Sequence, residues 1–150
     1  MKTLNKTSVL LVEDDLDLRN TISESLKAVD YKVYASRKSI EGLDLFKKYD
    51  VDVCVLDVEM SGMDGFALAA QIRMLNPDMP IIFLVSKGLF LNMLKDFEYG
   101  VDDYLTKPFS NEELLLRIKA VMRRVEENDA FSYTLGNDKI IIGRFIFDVK

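Results

Sequence analysis

Five short apolar runs, each followed by a stretch with helical periodicity, divide the first 125 residues of this chain. Ser8–Val12 (SVLLV) opens the series, and Leu18, Ile22, Leu26 and Val29 recur after it at the spacing of one helix face. Residues 32–35 form a second, shorter run. Ile40, Leu43 and Phe46 mark the helix after it, with Ser39 near its start. The third run is 51–57 (VDVCVLD), followed by a helical stretch through Phe66, Ala69, Ala70 and Arg73 up to Asn76-Pro77. The fourth is 80–85 (PIIFLV), and 89–99 reads as a helix closed by Gly100 in a left-handed cap. The fifth run is 103–106. Ser110 and Glu113 then make a capping-box pattern ahead of Leu114, Ile118, Val121, Met122 and Val125. Short apolar runs that do not alternate are strands buried on both faces, and strands joined by helices lie parallel. The pattern therefore predicts an α/β fold, a central five-stranded parallel sheet with helices on both faces.

After Arg124 the pattern changes. Residues 126–132 are polar and read as a linker, leaving 1–125 as one domain. Residues 133–150 (YTLGNDKIIIGRFIFDVK) alternate like a β-hairpin, with turn residues Gly136-Asn137-Asp138 and a second break at Gly143-Arg144. So short a piece cannot fold alone. It either packs on the first domain or opens a second one.

Composition removes several functions. Histidine is absent, which excludes histidine acid–base catalysis, histidine metal ligation and a phosphohistidine carrier in this chain. A net charge of −5 argues against a general nucleic-acid-binding surface. The one cysteine, Cys54, stands inside an apolar run and reads as a reduced core residue. No apolar run approaches the length of a membrane span, and acids follow the first run too soon for a signal peptide, so a cytoplasmic protein is expected.

The chemistry must then rest on what stands at the carboxyl ends of the strands, where parallel sheets bind ligands. Glu13-Asp14-Asp15 follow the first strand, Asp57 closes the third, Ser86 the fourth, and Lys107-Pro108 the fifth. Glu13, Asp14 and Asp57 form an oxygen-rich set without imidazole, suited to Mg²⁺. Such acids repel one another without a cation. Each feature alone has a bland explanation: an acidic loop in an acidic chain, a turn aspartate, a surface lysine, a core tyrosine at 104. Their joint placement at successive strand ends is what points to a site.

The motifs VLLVEDD, VCVLDVEMSGMDG, IIFLVS and GVDDYLTKPF occur in that order, with Asp14 and Asp57 at a characteristic interval. In these the chain resembles the receiver domain of bacterial two-component response regulators, from about Ser8 to Val125. The stretch IIIGRFIFDV looks like the first strands of the OmpR/PhoB-type winged-helix DNA-binding domain. The resemblance implies a flavodoxin-like sheet of order 2-1-3-4-5, with a short C-terminal β segment beyond it. It implies that Asp57 accepts a phosphoryl group from the phosphohistidine of a sensor histidine kinase. Mg²⁺ would be held by Glu13, Asp14, Asp57 and the backbone carbonyl of Glu59, with Lys107 as a second cation. Ser86 would turn to the phosphoryl group and Tyr104 would rotate inward behind it. The face of helix four, strand five and helix five would then pair two molecules, with Asp102, Asp103, Glu113, Arg117 and Arg124 as its charged candidates. Pro108 would follow a cis bond. DNA would be bound only by a domain outside this chain. Such a domain is a phosphoacceptor that catalyses its own transfer and hydrolysis, not an enzyme with a separate substrate.

Three departures stand out. Lys87 follows Ser86 where the family places a small residue, and the interval to Lys107 is one residue short. The stretch LFLNMLKDFEY is unusually apolar for helix four. Ser61 replaces a common proline. The alternatives are a phosphorylation-independent receiver acting as an interaction module, and a haloacid-dehalogenase-like phosphatase. The latter requires a second aspartate where Glu59 stands, and a cap domain.

Overall fold

A computed structural model describes residues 6–60, 62–93 and 103–135, with residues 91–93 and 126–135 described through their backbone alone. Five strands, β1 (Ser8–Val12), β2 (Lys32–Ser36), β3 (Val53–Asp57), β4 (Ile81–Ser86) and β5 (Asp103–Lys107), alternate with five helices, α1 (Leu16–Ala28), α2 (Ser39–Lys48), α3 (Gly65–Leu75), α4 (Lys87–Met93) and α5 (Asn111–Leu135). The strands are parallel, in the order β2-β1-β3-β4-β5. This is the expected doubly covered sheet.

Alternation along each strand divides the core in two. Val9, Leu11, Val53, Val55, Ile82, Leu84 and Leu105 meet Ile22 and Leu26 of α1 and Leu114, Ile118 and Val121 of α5. Leu10, Val12, Cys54, Leu56, Ile81, Phe83 and Val85 meet the helices of the other face, chiefly Leu68, Ala69 and Ile72 of α3. β1 and β3 are buried along their full length. β2, at the edge, exposes Lys32 and Ala35. A charged residue there discourages pairing with another chain.

Three helices differ from the sequence reading at single positions. Ile40 is 68% exposed, and α2 instead turns Ser39 and Gly42 inward. Gly42 lies against β1, where an added Cβ would come 2.6 Å from Val12 Cγ2. On α3 the buried set is Gly65, Leu68, Ala69 and Ile72, whereas Ala70 is exposed. Leu43, Phe46 and Ala69 pack on the core as the periodicity predicts; the differences are at Ile40 and Ala70, and at Gly42, whose lack of a side chain gives no hydrophobic signal. Val29 is exposed at the end of α1, beyond its inward face.

α4 begins two residues earlier than expected, at Lys87, so that β4 runs into it without a loop. The Leu89 N–H donates to Ser86 Oγ at 3.3 Å, a side-chain cap that starts the helix at once. α5 begins as the capping pattern predicts, with the Glu113 N–H donating to Ser110 Oγ at 3.0 Å. Its backbone then stays helical through Leu135, across the 126–132 stretch read as a linker. That stretch contains neither Gly nor Pro to stop the helix. Ser61, Gly100, Asp102, the end of the predicted fourth helix and the hairpin beyond 135 lie outside the described residues. Among the described residues no helix is long and apolar enough to cross a membrane.

Candidate functional site

Glu13, Asp57, Ser86 and Lys107 each stand two positions beyond a residue of the α1/α5 core: Leu11, Val55, Leu84 and Leu105. The pleat therefore delivers all four to the same face at the carboxyl edge of the sheet. The register sets them at two heights: Asp57 is level with Leu84, two residues short of Ser86, while Ser86 pairs with Lys107.

Lys107 Nζ lies 3.2 Å from Asp57 Oδ2 and 3.4 Å from Glu13 Oε1. Both acids are almost wholly buried, at 1% and 0% exposure, which is costly unless they are paired or neutralised. Asp57 Oδ1 accepts the Glu59 N–H at 3.1 Å. Glu13 Oε2 accepts the Asp15 N–H at 3.1 Å, while Oε1 makes no hydrogen bond and keeps only the long ion pair. Burial pushes the Glu13 carboxyl from an ordinary 4.5 up to about 7; the Asp15 N–H and Lys107 oppose this, and Asp57 adds to it. Burial also acts to lower the Lys107 pKa, but Glu13 and Asp57 outweigh it and leave the ammonium above its ordinary value.

One lysine thus faces two buried acids, and a third, exposed Asp14, stands beside them. Carboxylate oxygens of Glu13, Asp14 and Asp57 lie within 4.8 Å of one another. A hard divalent cation fits this set: the donors are all oxygen, and Glu13 Oε1 is a buried acceptor without a hydrogen bond. A pH prediction follows. A carboxyl whose pKa is raised on folding stabilises the protein fully below 4.5 and loses that contribution as pH rises to about 7. The Lys107 contribution is constant over this window, because its pKa lies above it. In metal-free buffer, wild type should lose roughly 3 kcal/mol relative to Glu13→Gln between pH 4.5 and 8. Urea unfolding of both proteins checks this, and a difference that does not change with pH would refute it.

The surrounding loops are held from several sides. The Asp64 carboxylate caps α3, accepting the Ala67 N–H at 2.8 Å, and Ser39 Oγ donates to the Met63 carbonyl at 2.6 Å. Gly62 has φ +82°, a conformation that favours glycine. Gly65 lies at the start of α3. Its missing side chain admits the Asp57 backbone, whose carbonyl oxygen an added Cβ would overlap. Lys107-Pro108 is cis, as expected. Tyr104 stacks on Phe83 at 5.4 Å between ring centroids and meets Phe90 of α4 at 6.1 Å.

Of the charged residues assigned to the pairing face, Glu113 is exposed and Arg117 half-buried. Arg124 Nη2 reaches Asp103 Oδ2 at 3.3 Å, so those two pair within the chain. Sequence reasoning missed Arg19, whose Nη1 donates to the Glu13 carbonyl at 2.8 Å. A contact to a main-chain carbonyl leaves no signature in residue type.

A family model described as "Response regulator receiver domain" matches residues 9–119. Among curated relatives, the transcriptional regulatory protein RprY of Bacteroides fragilis is 40% identical, the alignment covering 97% of this chain and 60% of RprY. The heme response regulator HssR of Staphylococcus aureus is 37% identical over 85% of this chain and 57% of its own length. The chain thus spans about three fifths of the length of these relatives. Among solved structures, a Francisella response regulator receiver domain superposes with a TM-score of 0.70 at 30% identity, covering 79% of this chain and 98% of that one. The chemotaxis protein CheY4 of Vibrio cholerae gives 0.71 at 28%, covering 78% and 99%.

Proposed function

This chain belongs to the response regulator receiver family, and from that premise we propose that Asp57 is its phosphoacceptor, served by the phosphohistidine of a partner sensor kinase. The observation that carries the proposal is the Asp57 carboxylate, buried at the sheet edge, held by the Glu59 N–H and 3.2 Å from Lys107. A carboxylate oxygen bonds to phosphorus as the phosphorus–nitrogen bond to the donor imidazole breaks, and the electron pair returns to the imidazole. Water attack on phosphorus later restores the carboxylate and releases inorganic phosphate. Such transfer depends on positioning and charge neutralisation more than on acid–base groups, which suits a site without histidine.

Lys107 supplies one fixed cation to the phosphoryl oxygens. Glu13, Asp14, Asp57 and the Glu59 carbonyl would hold Mg²⁺, which when bound offsets the repulsion between the carboxylate and the incoming phosphoryl group. Ser86 donates its hydroxyl proton to a phosphoryl oxygen, and Tyr104 follows inward, biasing the face of α4, β5 and α5 toward pairing with a second copy. The similarity to transcriptional regulators supports a cytoplasmic role in transcription control, with DNA bound by a domain outside this chain. The chain is then a phosphoacceptor signalling domain, and turnover of a separate substrate is no part of its role.

Incubation with radiolabelled acetyl phosphate tests this. The protein should take up one Mg²⁺-dependent, base-labile label, and the absence of label with Mg²⁺ present would overturn the proposal. A second reading, an interaction module whose pairing does not depend on phosphorylation, is favoured by one observation: Ser86 Oγ is engaged as the cap of α4. Light scattering with beryllofluoride and Mg²⁺ separates the two. A shift from monomer to dimer supports the switch, and an unchanged mass supports the module.

A further inference from the structure

Four contacts hold Glu13 in place. Its N–H donates to the Ser36 carbonyl at 3.0 Å, continuing the ladder past the end of β1. Oε2 takes the Asp15 N–H at 3.1 Å, and Oε1 faces Lys107 at 3.4 Å. The fourth is at the Glu13 carbonyl, which accepts from Arg19 Nη1 at 2.8 Å, the shortest of the four. Arg19 is itself fixed at its backbone, since its N–H donates to the Asp15 carbonyl at 2.9 Å in the first turn of α1. Asp15 also caps that turn through the Leu18 N–H at 3.2 Å.

The carbonyl that Arg19 grips belongs to the Glu13–Asp14 peptide, the link between a buried acid and an exposed one. Turning that peptide re-aims Asp14, the exposed acid of the cation cluster. We propose that Arg19 is a positioning residue for the divalent-cation site, gripping the Glu13 carbonyl so that Asp14 converges on Glu13 and Asp57. The inference rests on the reading of that site given above. It differs from an ordinary charge effect in sign. Arg19 is a cation beside a cation site, so charge alone would make its removal tighten Mg²⁺ binding. Positioning demands the reverse, because Mg²⁺ tolerates little departure from octahedral geometry.

Calorimetric titration of the whole chain with Mg²⁺ tests this on wild type, Arg19→Ala and Arg19→Lys, alongside thermal unfolding of each in chelator. Losing a partner that orients a ligand commonly weakens metal binding by about 10- to 100-fold. Arg19→Ala should fall in that range, and Arg19→Lys, which keeps a donor on a long stem, should recover most of the affinity. The chelator-treated proteins should unfold at nearly the same temperature. Equal or tighter binding by Arg19→Ala overturns the proposal, as does an equal loss in Arg19→Lys. A wild-type protein that binds no Mg²⁺ at millimolar concentration overturns the site reading instead, and with it this inference.

Discussion

Asp57→Asn is expected to abolish phosphoryl uptake while leaving the sheet folded. An amide oxygen is a poor nucleophile and cannot form the acyl phosphate, so the loss should be complete rather than graded. The geometry otherwise tolerates the change. The asparagine carbonyl can still accept the Glu59 N–H where Oδ1 does now, at 3.1 Å. Lys107 loses its Oδ2 partner but keeps Glu13, 3.4 Å away. Asp57 also raises the Glu13 pKa, so its neutralisation should let Glu13 ionise at lower pH. The variant is therefore expected to lose all label, to unfold in urea within about 1 kcal/mol of wild type at neutral pH, and to show a smaller pH slope in metal-free buffer. Label persisting in Asp57→Asn would move the acceptor to another residue.

Gly65→Ala should damage both the fold and the site. An added Cβ would overlap the Asp57 carbonyl oxygen and lie 2.9 Å from both Asp57 C and Val58 Cα. All three are backbone atoms, so no side chain can swing away, and the start of α3 must move off the end of β3. Overpacking of this kind costs about 2–3 kcal/mol. The shift also pulls on the residue that carries the carboxylate, so labelling should fall together with stability. Gly42→Ala is the control. Its tightest contact is Val12 Cγ2 at 2.6 Å, a side-chain rather than a backbone atom and remote from Asp57. It should cost about 1 kcal/mol and leave labelling unchanged. Equal effects of the two substitutions on labelling would refute this account.

The strands and the residues at their ends were legible in the sequence because both signals are local. An apolar run such as VCVL followed at once by Asp57 states where a buried strand stops and what it presents. The helices were less legible. Gly42 and Gly65 make their close contacts by lacking a side chain, so the periodicity of α2 and α3 finds Leu43, Phe46 and Ala69 but not these contacts. The early start of α4 depends on one hydroxyl reaching back from Ser86, and the long α5 on the absence of a breaker in a polar stretch. The supports of the site were not legible. Arg19 on the Glu13 carbonyl and Ser39 on the Met63 carbonyl are contacts to main chain, which any residue offers.

The two-residue alternation that carries Glu13, Asp57, Ser86 and Lys107 to one face works as a reading frame. Deleting a single residue within β3 would exchange the phases. Leu56 or Val58 would then meet the ammonium of Lys107, and Asp57 would turn toward the opposite core. The same deletion placed after a strand shifts nothing upstream of it. A change of length between Ser86, where β4 ends, and Asp103, where β5 begins, would be of that second kind. Strand lengths in such a chain are therefore locked to the chemistry, and length can vary only in what joins one strand to the next.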